Sequence, residues 1–288
     1  MHEKYKTFLA GGNNSLIDEL IKNTSISSKK EIKNYIKHGM VYINNVTVTN
    51  SSLILNKNDE VKIYFTKRNI PKIELNILYE DKDLIAIDKP AGLLSISNAK
   101  EKEITAFRLV SDYIKKSNPK AKLFVVHRLD EMTSGVLLFS KNLHLKEELQ
   151  QRWNDFVKVR EYYCVVKGKM LSTDRIESYL TMNHFQIVHS TKDKVKGLLA
   201  ITRYETIKYK NGYSLLRVEI DTGRRNQIRV HMSEAGHPIV GDKKYGSVIN
   251  PINRLALHAS KLELIDPRTN NKLVITSLLP EEINNLVK

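Results

Sequence analysis

Apolar residues in the first 65 positions are spaced first as in helices and then as in strands. Residues 16–21 have a helical spacing of apolar positions, which predicts a first helix. A second helix is predicted over residues 29–37, because Ser28 and Glu31 have the spacing of a capping box and Gly39 is a suitable C-cap. The pattern therefore predicts two short helices near the start of the chain.

Shorter apolar runs follow the second predicted helix. Residues 41–43 and 46–48 flank a turn at 44–45, an arrangement typical of a β-hairpin. Residues 61–65 follow a polar stretch and predict a further strand. Two helices followed by a small sheet are a compact unit that can fold around its own apolar side chains.

The chain divides into two parts at a polar segment that contains Pro71. We predict a small α+β domain over residues 1–65, a linker over 66–74 and a large domain over 75–288. In the large domain, strand-like runs are predicted at residues 77–79, 84–87, 123–126, 135–139, 162–166, 200–204, 215–220 and 273–276. Helical stretches are predicted between them at roughly 103–116, 143–157 and 224–235.

The order of these elements indicates the fold class of the large domain. The strands are too many, and the helices too irregularly placed, for a doubly wound parallel sheet. We therefore predict an α+β fold with a mixed, mainly antiparallel sheet, preceded by the small α+β domain.

Charge adds a class of partner to this picture. The chain has 47 Lys and Arg residues against 32 Asp and Glu, a formal net charge of +15. Such an excess is typical of proteins that bind a polyanion, most simply nucleic acid. The basic excess lies in both parts of the chain, and its density is higher in residues 1–70.

Composition also restricts the cellular context. A single cysteine, Cys164, excludes an internal disulfide framework and a cysteine-rich zinc site, and no pair of histidines has a zinc-binding spacing. No apolar run approaches the ~20 residues of a membrane-spanning helix, and the N-terminus lacks the apolar core of a signal peptide. We expect a cytoplasmic protein with no membrane association and no metal.

The densest group of polar residues lies between two apolar runs, at residues 127–135. His127, Arg128 and Asp130 are close together there, and charged groups between buried strands must find partners or water. This pattern favours a functional loop, although an ordinary polar turn has the same composition.

A second polar group occupies residues 221–232. Thr222 and Gly223 suit a helix start, after which Arg225, Arg229 and Met232 would share one helix face. Arginines in the first turns of a helix oppose its dipole. Their placement indicates a nearby anion, either a phosphate or a protein carboxylate, although a surface arginine pair has the same pattern.

Several enzyme classes lack their required pattern in this sequence. A kinase-like site has no Gly-rich phosphate loop, and a serine hydrolase has no G-x-S-x-G turn. A glycosidase lacks a second carboxylate, and a metal-dependent nuclease lacks clustered carboxylates. What remains is a site with one carboxylate, Asp130, beside arginines on a basic protein.

These motifs resemble those of the RluA-type pseudouridine synthase family. The segment from His127 to Asp130, followed by residues 133–135, is similar to the family's catalytic motif. Five further matches follow the family's order and lie at residues 88–92, 160–168, 222–231, 236–246 and 257–259.

Residues 14–65 resemble an S-four-like RNA-binding domain. The resemblance rests on the helix end at residues 36–39, the run at 41–44 and the later segment 58–61. This sequence has lysines where that family often has arginines, and lysine does not make the bidentate phosphate contacts of arginine.

The resemblance implies an RNA-modifying enzyme that isomerises uridine without a cofactor or metal. It implies that Asp130 is the nucleophile, that Arg229 is its cation, and that Tyr162 stacks on the target base and assists proton removal. It leaves open whether the carboxylate attacks the ribose or the base. The further residues expected to bind substrate or RNA are His127, Arg128, Thr133, Arg224, Arg225, Lys29, Lys30, Lys33 and Lys37.

Some positions depart from the family pattern or are interpreted as structural. Arg225 and Asn226 stand where the family usually has Thr and His, and Arg160 where it commonly has Lys, which affects the choice of target. The turn at Gly241 and Asp242 is interpreted as structural.

The attached small domain favours large-subunit ribosomal RNA as the substrate of a monomeric pseudouridine synthase. A tRNA-directed synthase is the alternative within the family. A non-catalytic RNA-binding or ribosome-assembly factor on the same fold is the alternative outside it, and the presence of Asp130, Tyr162 and Arg229 argues against it.

Overall fold

The computed structural model describes residues 5–37, 39–44, 46–48, 50–65, 74–97 and 105–288. The chain forms two compact units. The small unit comprises Met1–Glu74 and Ile96–Arg108, and the large unit comprises Leu75–Ser95 and Leu109–Lys288. Residues 66–73 of the predicted linker lie outside the described residues, as do His38 and Asn45 of the predicted small-domain motifs.

The small unit contains two helices and a four-stranded antiparallel sheet. Its elements are β1 (Tyr5–Leu9), α1 (Leu16–Asn23), α2 (Lys29–Lys37), β2 (Val41–Ile43), β3 (Val46–Thr47) and β4 (Glu60–Tyr64). The strands lie in the order β1-β4-β2-β3, with the predicted hairpin formed by β2 and β3. The two predicted helices are confirmed, whereas β1 was not predicted.

The sequence signals for α2 act as expected. The Ser28 hydroxyl accepts a hydrogen bond from the Glu31 N–H at 3.3 Å, which satisfies one free donor of the first turn. Beyond the last residue of α2, Gly39 has a positive φ of 67° and donates its N–H to the Ile36 carbonyl. One face of the sheet packs against both helices through a core that includes Leu16, Leu20, Ile32, Ile36, Val41, Val61 and Ile63.

The large unit has most of the remaining elements. In its first half these are β5 (Asn76–Glu80), β6 (Leu84–Lys89), β7 (Phe124–Val125), β8 (Ser134–Ser140), α4 (Leu143–Gln151), α5 (Trp153–Phe156) and β9 (Val157–Lys167); α3 (Ala106–Ser117) begins in the 96–108 segment. In its second half they are β10 (Thr173–Met182), β11 (Val188–Thr191), β12 (Leu198–Lys210), β13 (Tyr213–Ile220), α6 (Gln227–Glu234), β14 (Leu257–Ile265), β15 (Lys272–Thr276) and α7 (Glu281–Asn284), with 3₁₀ turns at Lys243–Tyr245 and Asn285–Val287.

The strands of the large unit form one eleven-stranded sheet. Their order is β11-β10-β12-β13-β9-β14-β8-β6-β5, with β15 paired to β14 and β7 paired to β8. Every pairing is antiparallel except that of β8 with β14, which is parallel. The predicted α+β class with a mixed, mainly antiparallel sheet is confirmed.

The parallel join between β8 and β14 depends on a glycine. Gly135 lies opposite Ala259 with a positive φ of 110°, and a Cβ at this position would lie 2.1 Å from the Ala259 carbonyl oxygen. No side chain fits in that gap, so the two strands approach this closely only with glycine. The join brings the end of the loop at residues 126–133 beside β14.

Among the described residues, two large apolar cores and a smaller cluster that includes Leu180, Val188 and Val230 support this sheet. One lies around β6, β8 and α4 and includes Leu84, Val136, Leu138, Leu149 and Leu262. The other lies around β9, β13 and α6 and includes Cys164, Val165, Leu216, Val218 and Met232. Among the described residues, no helix is both long enough and apolar enough to cross a membrane.

Three features of the large unit differ from the expectations. Strands β10, β11 and β14 were not predicted, because polar residues interrupt their apolar runs. The helix predicted over 143–157 is two helices that meet at Arg152, and Val157 already belongs to β9. The helix predicted over 224–235 begins only at Gln227.

Candidate active site

Asp130 lies in a loop whose backbone is held on both sides of it. The loop joins β7 to β8, and the Thr133 N–H donates to the Asp130 carbonyl at 3.1 Å to close a turn. Before Asp130, the Ser95 hydroxyl accepts from the Leu129 N–H at 3.0 Å and donates to the Leu129 carbonyl at 2.7 Å. One buried serine therefore satisfies both backbone groups of the preceding residue.

After Asp130, the loop is held by a buried lysine. The Glu131 carbonyl accepts from the Gly92 N–H at 2.9 Å and from the Lys89 ammonium at 3.0 Å. The Lys89 side chain is fully buried, and its ammonium group also donates to two further carbonyl oxygens, those of Pro90 and Leu93. Burial lowers the pKa of Lys89 to about 7, with Arg254 acting in the same direction and Asp130 against it. The segment that follows β6 thus fixes the carboxylate's position.

The Asp130 carboxylate meets Arg229 of α6. Nη1 of Arg229 lies 3.3 Å from Oδ2 of Asp130, although 99 residues separate them in the sequence. The Asp130 side chain is 29% exposed and that of Arg229 is 13% exposed. The carboxylate can therefore be reached from solvent while its cationic partner lies mostly inside the protein.

A second carboxylate, Asp242, holds Arg229 more tightly than Asp130 does. Its two oxygens accept from Nε and Nη2 of Arg229 at 2.7 and 2.8 Å, a bidentate pair, and its side chain is only 1% exposed. Burial acts to lower the pKa of Arg229, but the carboxylates of Asp242 and Asp130 outweigh it and raise that pKa. Nη1 is left to point towards Asp130 and the Asn226 side-chain oxygen, 3.3 Å away.

The start of α6 corrects the expected arrangement of arginines. Asn226 has the left-handed conformation, and the Gln227 side-chain oxygen accepts from the Thr222 hydroxyl at 2.8 Å and the Arg224 N–H at 3.0 Å. Thr222 and Gly223 therefore belong to a turn that a side chain closes, and Arg225 lies outside the helix. Only Arg229 of the two expected arginines is on α6, and the anions beside it are protein carboxylates.

Tyr162 lies on β9 between β13 and β14, opposite Val218 and Ala259. Burial raises the pKa of its phenol to about 12, Arg160 acts against this rise, and the charge of Asp130 adds to it. Tyr162 is therefore within electrostatic range of Asp130 and remains a neutral phenol at physiological pH. This state suits stacking and hydrogen bonding, and the expected role in proton removal stays a prediction.

His127 and Thr133 have internal contacts in this structure. Nε2 of His127 accepts from the Leu138 N–H at 3.0 Å, and its ring centre lies 5.4 Å from that of Trp153. Burial, and secondarily Arg160, lowers the pKa of His127 to about 4, so the ring is neutral. Thr133 is buried. RNA binding by these two residues stays a prediction, and their visible contacts are structural.

Three of the predicted arginines are exposed: Arg128, Arg224 and Arg225. Nε of Arg224 donates to the Leu199 carbonyl at 2.9 Å, and Nη1 of Arg225 lies 3.3 Å from the Met182 sulfur. Lys244 lies near the same site, since burial and then Arg229 and Arg225 lower its pKa while Asp130 and Asp242 raise it. Arg225 and Lys244 therefore add positive charge near Asp130 and Asp242.

The four predicted lysines of the small unit are exposed on α2. Lys29, Lys30, Lys33 and Lys37 all have solvent-exposed side chains, and Lys29 lies 3.9 Å from Asp18 in an exposed pair. Such a pair is weak in water. The α2 lysines are thus accessible, while their contact with RNA stays a prediction.

Sequence reasoning missed three residues that build the site: Asp242, Lys89 and Ser95. Asp242 was interpreted as part of a structural turn, which holds for Gly241, since a Cβ there would lie 2.1 Å from the Arg254 carbonyl oxygen. The sequence contained one signal for Asp242, because a protein carboxylate was one of the two kinds of anion expected near Arg229. In the part of the chain that the structure describes, no group of three or more His, Cys, Asp or Glu side chains could hold a metal ion.

Residues 83–234 match the family of RNA pseudouridylate synthases, and residues 17–61 match the S4 domain. The first match covers Asp130, Tyr162 and Arg229 and ends before Asp242. The second covers α1, α2 and the hairpin of the small unit.

Two relatives from Haemophilus ducreyi differ in how much of the chain they match. Its tRNA pseudouridine synthase C is 33% identical over 231 residues, which cover 73% of this chain and 93% of the relative. Its ribosomal large subunit pseudouridine synthase D is 28% identical over 292 residues, which cover 91% of this chain and 86% of the relative.

A solved structure has the same fold. The human RNA pseudouridylate synthase domain containing 4 aligns with a TM-score of 0.60 at 22% identity, over 73% of this chain and 91% of that protein.

Proposed function

The chain belongs to the RNA pseudouridine synthase family, and on that premise we propose that it isomerises uridines of large-subunit ribosomal RNA with Asp130 as the nucleophile. Membership makes it an isomerase that acts on RNA. The nucleophile, the roles of the surrounding residues and the RNA target are the proposed parts.

The contact between Asp130 and Arg229 supports the assignment of the nucleophile. The Arg229 guanidinium places a positive charge 3.3 Å from the carboxylate that would act as the nucleophile. Because Asp242 fixes the guanidinium through two hydrogen bonds, the positive charge is oriented before substrate arrives. Ser95 and Lys89 hold the backbone on either side of Asp130 in the same way.

Tyr162 is proposed to stack on the target base. As a neutral phenol near Asp130, it offers a flat apolar surface with one hydroxyl donor. A carboxylate with a single fixed cation and a stacking ring fits an uncharged uracil ring better than an anionic substrate.

A uridine in folded RNA must leave its base stack to reach Asp130. The exposed arginines Arg128, Arg224 and Arg225 are suited to hold the flanking phosphates while it does so. Such contacts add affinity without reading the base.

The small unit favours large-subunit ribosomal RNA as the target. The ribosomal relative from Haemophilus ducreyi aligns over 91% of this chain, so that alignment includes the small unit. A separate RNA-binding unit gives the enzyme contacts with RNA besides those to the reacting uridine.

The target is tested by mapping pseudouridines in total RNA from a strain that lacks the gene, complemented with wild type or with Asp130→Asn. We expect one or more large-subunit sites to be lost, restored by the wild-type gene and not by Asp130→Asn. Loss confined to tRNA would replace the proposed target. Restoration by Asp130→Asn would contradict the catalytic role and indicate an assembly factor.

A further inference from the structure

The sheet of the small unit has two chemically different faces. Val41, Ile43, Val61 and Ile63 point to the helices and are buried. The side chains that alternate with them are Tyr42 in β2 and Glu60, Lys62 and Tyr64 in β4, with Glu60 at the far end. The strand pairing places Tyr5 of β1 directly opposite Tyr64, so we consider Tyr5, Tyr42, Lys62 and Tyr64 together. Side chains of a strand alternate between faces, so these four residues share the outer face. We call them the tyrosine face.

The rings of the tyrosine face form a continuous row. The ring centres of Tyr5 and Tyr64 lie 5.6 Å apart, and those of Tyr42 and Tyr64 also lie 5.6 Å apart. Tyr5, on the edge strand, is 49% exposed. Leu9 lies on the same face of β1 and is also exposed. Tyr42 and Tyr64 are half-buried, so Tyr5 and Leu9 provide the exposed apolar surface of this face. Cross-strand aromatic pairs stabilise a sheet, but that alone does not require exposed apolar side chains beside a cation.

A lysine lies over this row. The Lys62 ammonium is 4.3 Å from the ring centre of Tyr5 and 5.4 Å from that of Tyr64. These are cation–π distances, so the charge is held on the rings. The face therefore combines flat apolar surfaces with a fixed positive charge.

We infer that the tyrosine face binds unpaired nucleotides of the RNA substrate, with bases on the rings and a phosphate at Lys62. An exposed ring at the edge of an aromatic row, next to a basic residue, suits single-stranded RNA, since every base has a π-face and every nucleotide a phosphate. The inference rests on the proposed function only in that the ligand is RNA. The small unit would then have two surfaces that contact RNA. The tyrosine face would contact the bases, and the exposed lysines of α2 would contact phosphates.

Charge favours RNA over a protein partner on this face. Residues 1–70 contain 11 Lys and Arg residues against 6 Asp and Glu. Of the outer-face residues of β4, Lys62 lies over the rings, whereas Glu60 lies opposite Leu9 at the far end of β1. An apolar protein partner would have to bury the Lys62 charge, whereas a phosphate pairs with it.

The test uses full-length protein and two labelled RNAs: a short oligocytidine, which offers no uridine to Asp130, and a fully paired hairpin of the same length. Tyr5→Leu keeps an apolar side chain but removes the flat ring, and Tyr5→Phe keeps the ring. Tyr209→Leu is the matched control, because Tyr209 is a strand tyrosine of the large unit with 48% exposure. Affinities are measured by fluorescence anisotropy as a function of salt, with circular dichroism to verify folding.

We expect Tyr5→Leu to bind oligocytidine about tenfold more weakly than wild type, while its affinity for the paired hairpin is unchanged. Tyr5→Phe and Tyr209→Leu should bind both RNAs as wild type does. Lys62→Gln, which leaves all three rings in place, should reduce the salt slope for oligocytidine by about 0.7.

Two results would overturn the inference. Equal oligocytidine affinity of Tyr5→Leu and wild type would exclude stacking and leave the face to an apolar protein contact. An equal loss in Tyr5→Phe and Tyr5→Leu would assign the effect to the hydroxyl. If wild type isomerises no RNA, the proposed function fails while the binding data still decide the inference.

Discussion

The two units of this protein use positive charge in opposite ways. In the large unit, Arg229 is 13% exposed and is fixed by two carboxylates at distances from 2.7 to 3.3 Å. In the small unit, the lysines of α2 are exposed, and the ion pair between Lys29 and Asp18 is 3.9 Å long. Hydrogen bonds fix the orientation of a buried guanidinium, whereas an exposed ammonium acts mainly through its long-range electrostatic field. Under the proposed function, the fixed guanidinium would serve the chemistry and the exposed lysines would serve RNA binding.

Replacing the Asp130 carboxylate should separate turnover from RNA binding most clearly. Asp130→Asn keeps the shape of the side chain but cannot form a covalent intermediate, so turnover should fall by more than about a thousandfold. RNA affinity should stay near the wild-type value, because the capturing charges are unchanged. Single-turnover assays and anisotropy measure the two quantities, and turnover within tenfold of wild type would show that Asp130 is not the nucleophile.

Removing the fixed cation should damage both chemistry and stability. Arg229→Leu leaves Asp242 as a buried carboxylate without its partner, which typically costs about 3–5 kcal/mol of unfolding free energy. Denaturant unfolding measures this loss. The double variant Arg229→Leu/Asp242→Asn should recover part of the stability but none of the activity. If Arg229→Leu unfolds at the wild-type denaturant concentration, the pair is not a structural support of the site.

Acid should weaken the large unit through its buried histidines. The two ring nitrogens of His231 are hydrogen-bonded to the hydroxyl groups of Thr202 and Ser178, at 2.8 and 3.0 Å. Burial lowers the pKa of His231 from 6.5 to about 4, and the charge of Glu234 acts in the opposite direction. Between pH 6.5 and 4 the unfolded chain binds a proton that the folded chain does not, so stability falls as the pH falls through this window. The loss from this group is about 3 kcal/mol at pH 4.

The sole tryptophan, Trp153, lies in the large unit and reports its unfolding. We expect the unfolding free energy of His231→Gln, followed by Trp153 fluorescence, to fall less between pH 6.5 and 4 than that of wild type. His127 has the same direction of pKa shift and remains in both proteins. Parallel pH profiles for the two proteins would mean that His231 is protonated at its ordinary pKa.

Neutralising the exposed lysines should give the smallest effect on chemistry. A variant with Gln at Lys29, Lys30, Lys33 and Lys37 should bind RNA more weakly, and its salt slope should decrease by about one for each phosphate that the variant no longer touches. The matched control has Gln at four exposed lysines of the large unit, Lys115, Lys116, Lys208 and Lys210. Turnover at saturating RNA should be unchanged in both, and equal salt slopes in the two variants would make α2 an ordinary solvated helix.

The sequence predicted the elements whose information is local. The capping pair of Ser28 and Glu31 marked the start of α2, and continuous apolar runs marked β6 and β8. It placed the start of α6 three residues too early, because the Gln227 side chain closes the turn that had been assigned to the helix. A side chain that replaces backbone hydrogen bonds leaves no periodic signal.

The site was predicted where motifs are contiguous and missed where partners are distant. Asp130 and Arg229 lie in recognisable motifs, whereas the role of Asp242 depends on the path of the chain from α6 to the 3₁₀ turn at Lys243–Tyr245. Lys89 is a buried lysine whose three acceptors are backbone carbonyls. Backbone atoms carry no sequence signature, so this interaction is visible only in three dimensions.

The pairing of β8 with β14 affects when the residues of the site can come together during translation. Asp130 is synthesised 99 residues before Arg229, and Ser134 precedes its partners Arg254 and His258 by 120 and 124 residues. At ordinary elongation rates, Arg229 is therefore added to the chain roughly 5–20 s after Asp130. The helices and sheet of the small unit precede both residues in the chain, so they are synthesised first. Under the proposed function, a nascent chain that ends before β14 would lack the strand that pairs with β8 and should be inactive.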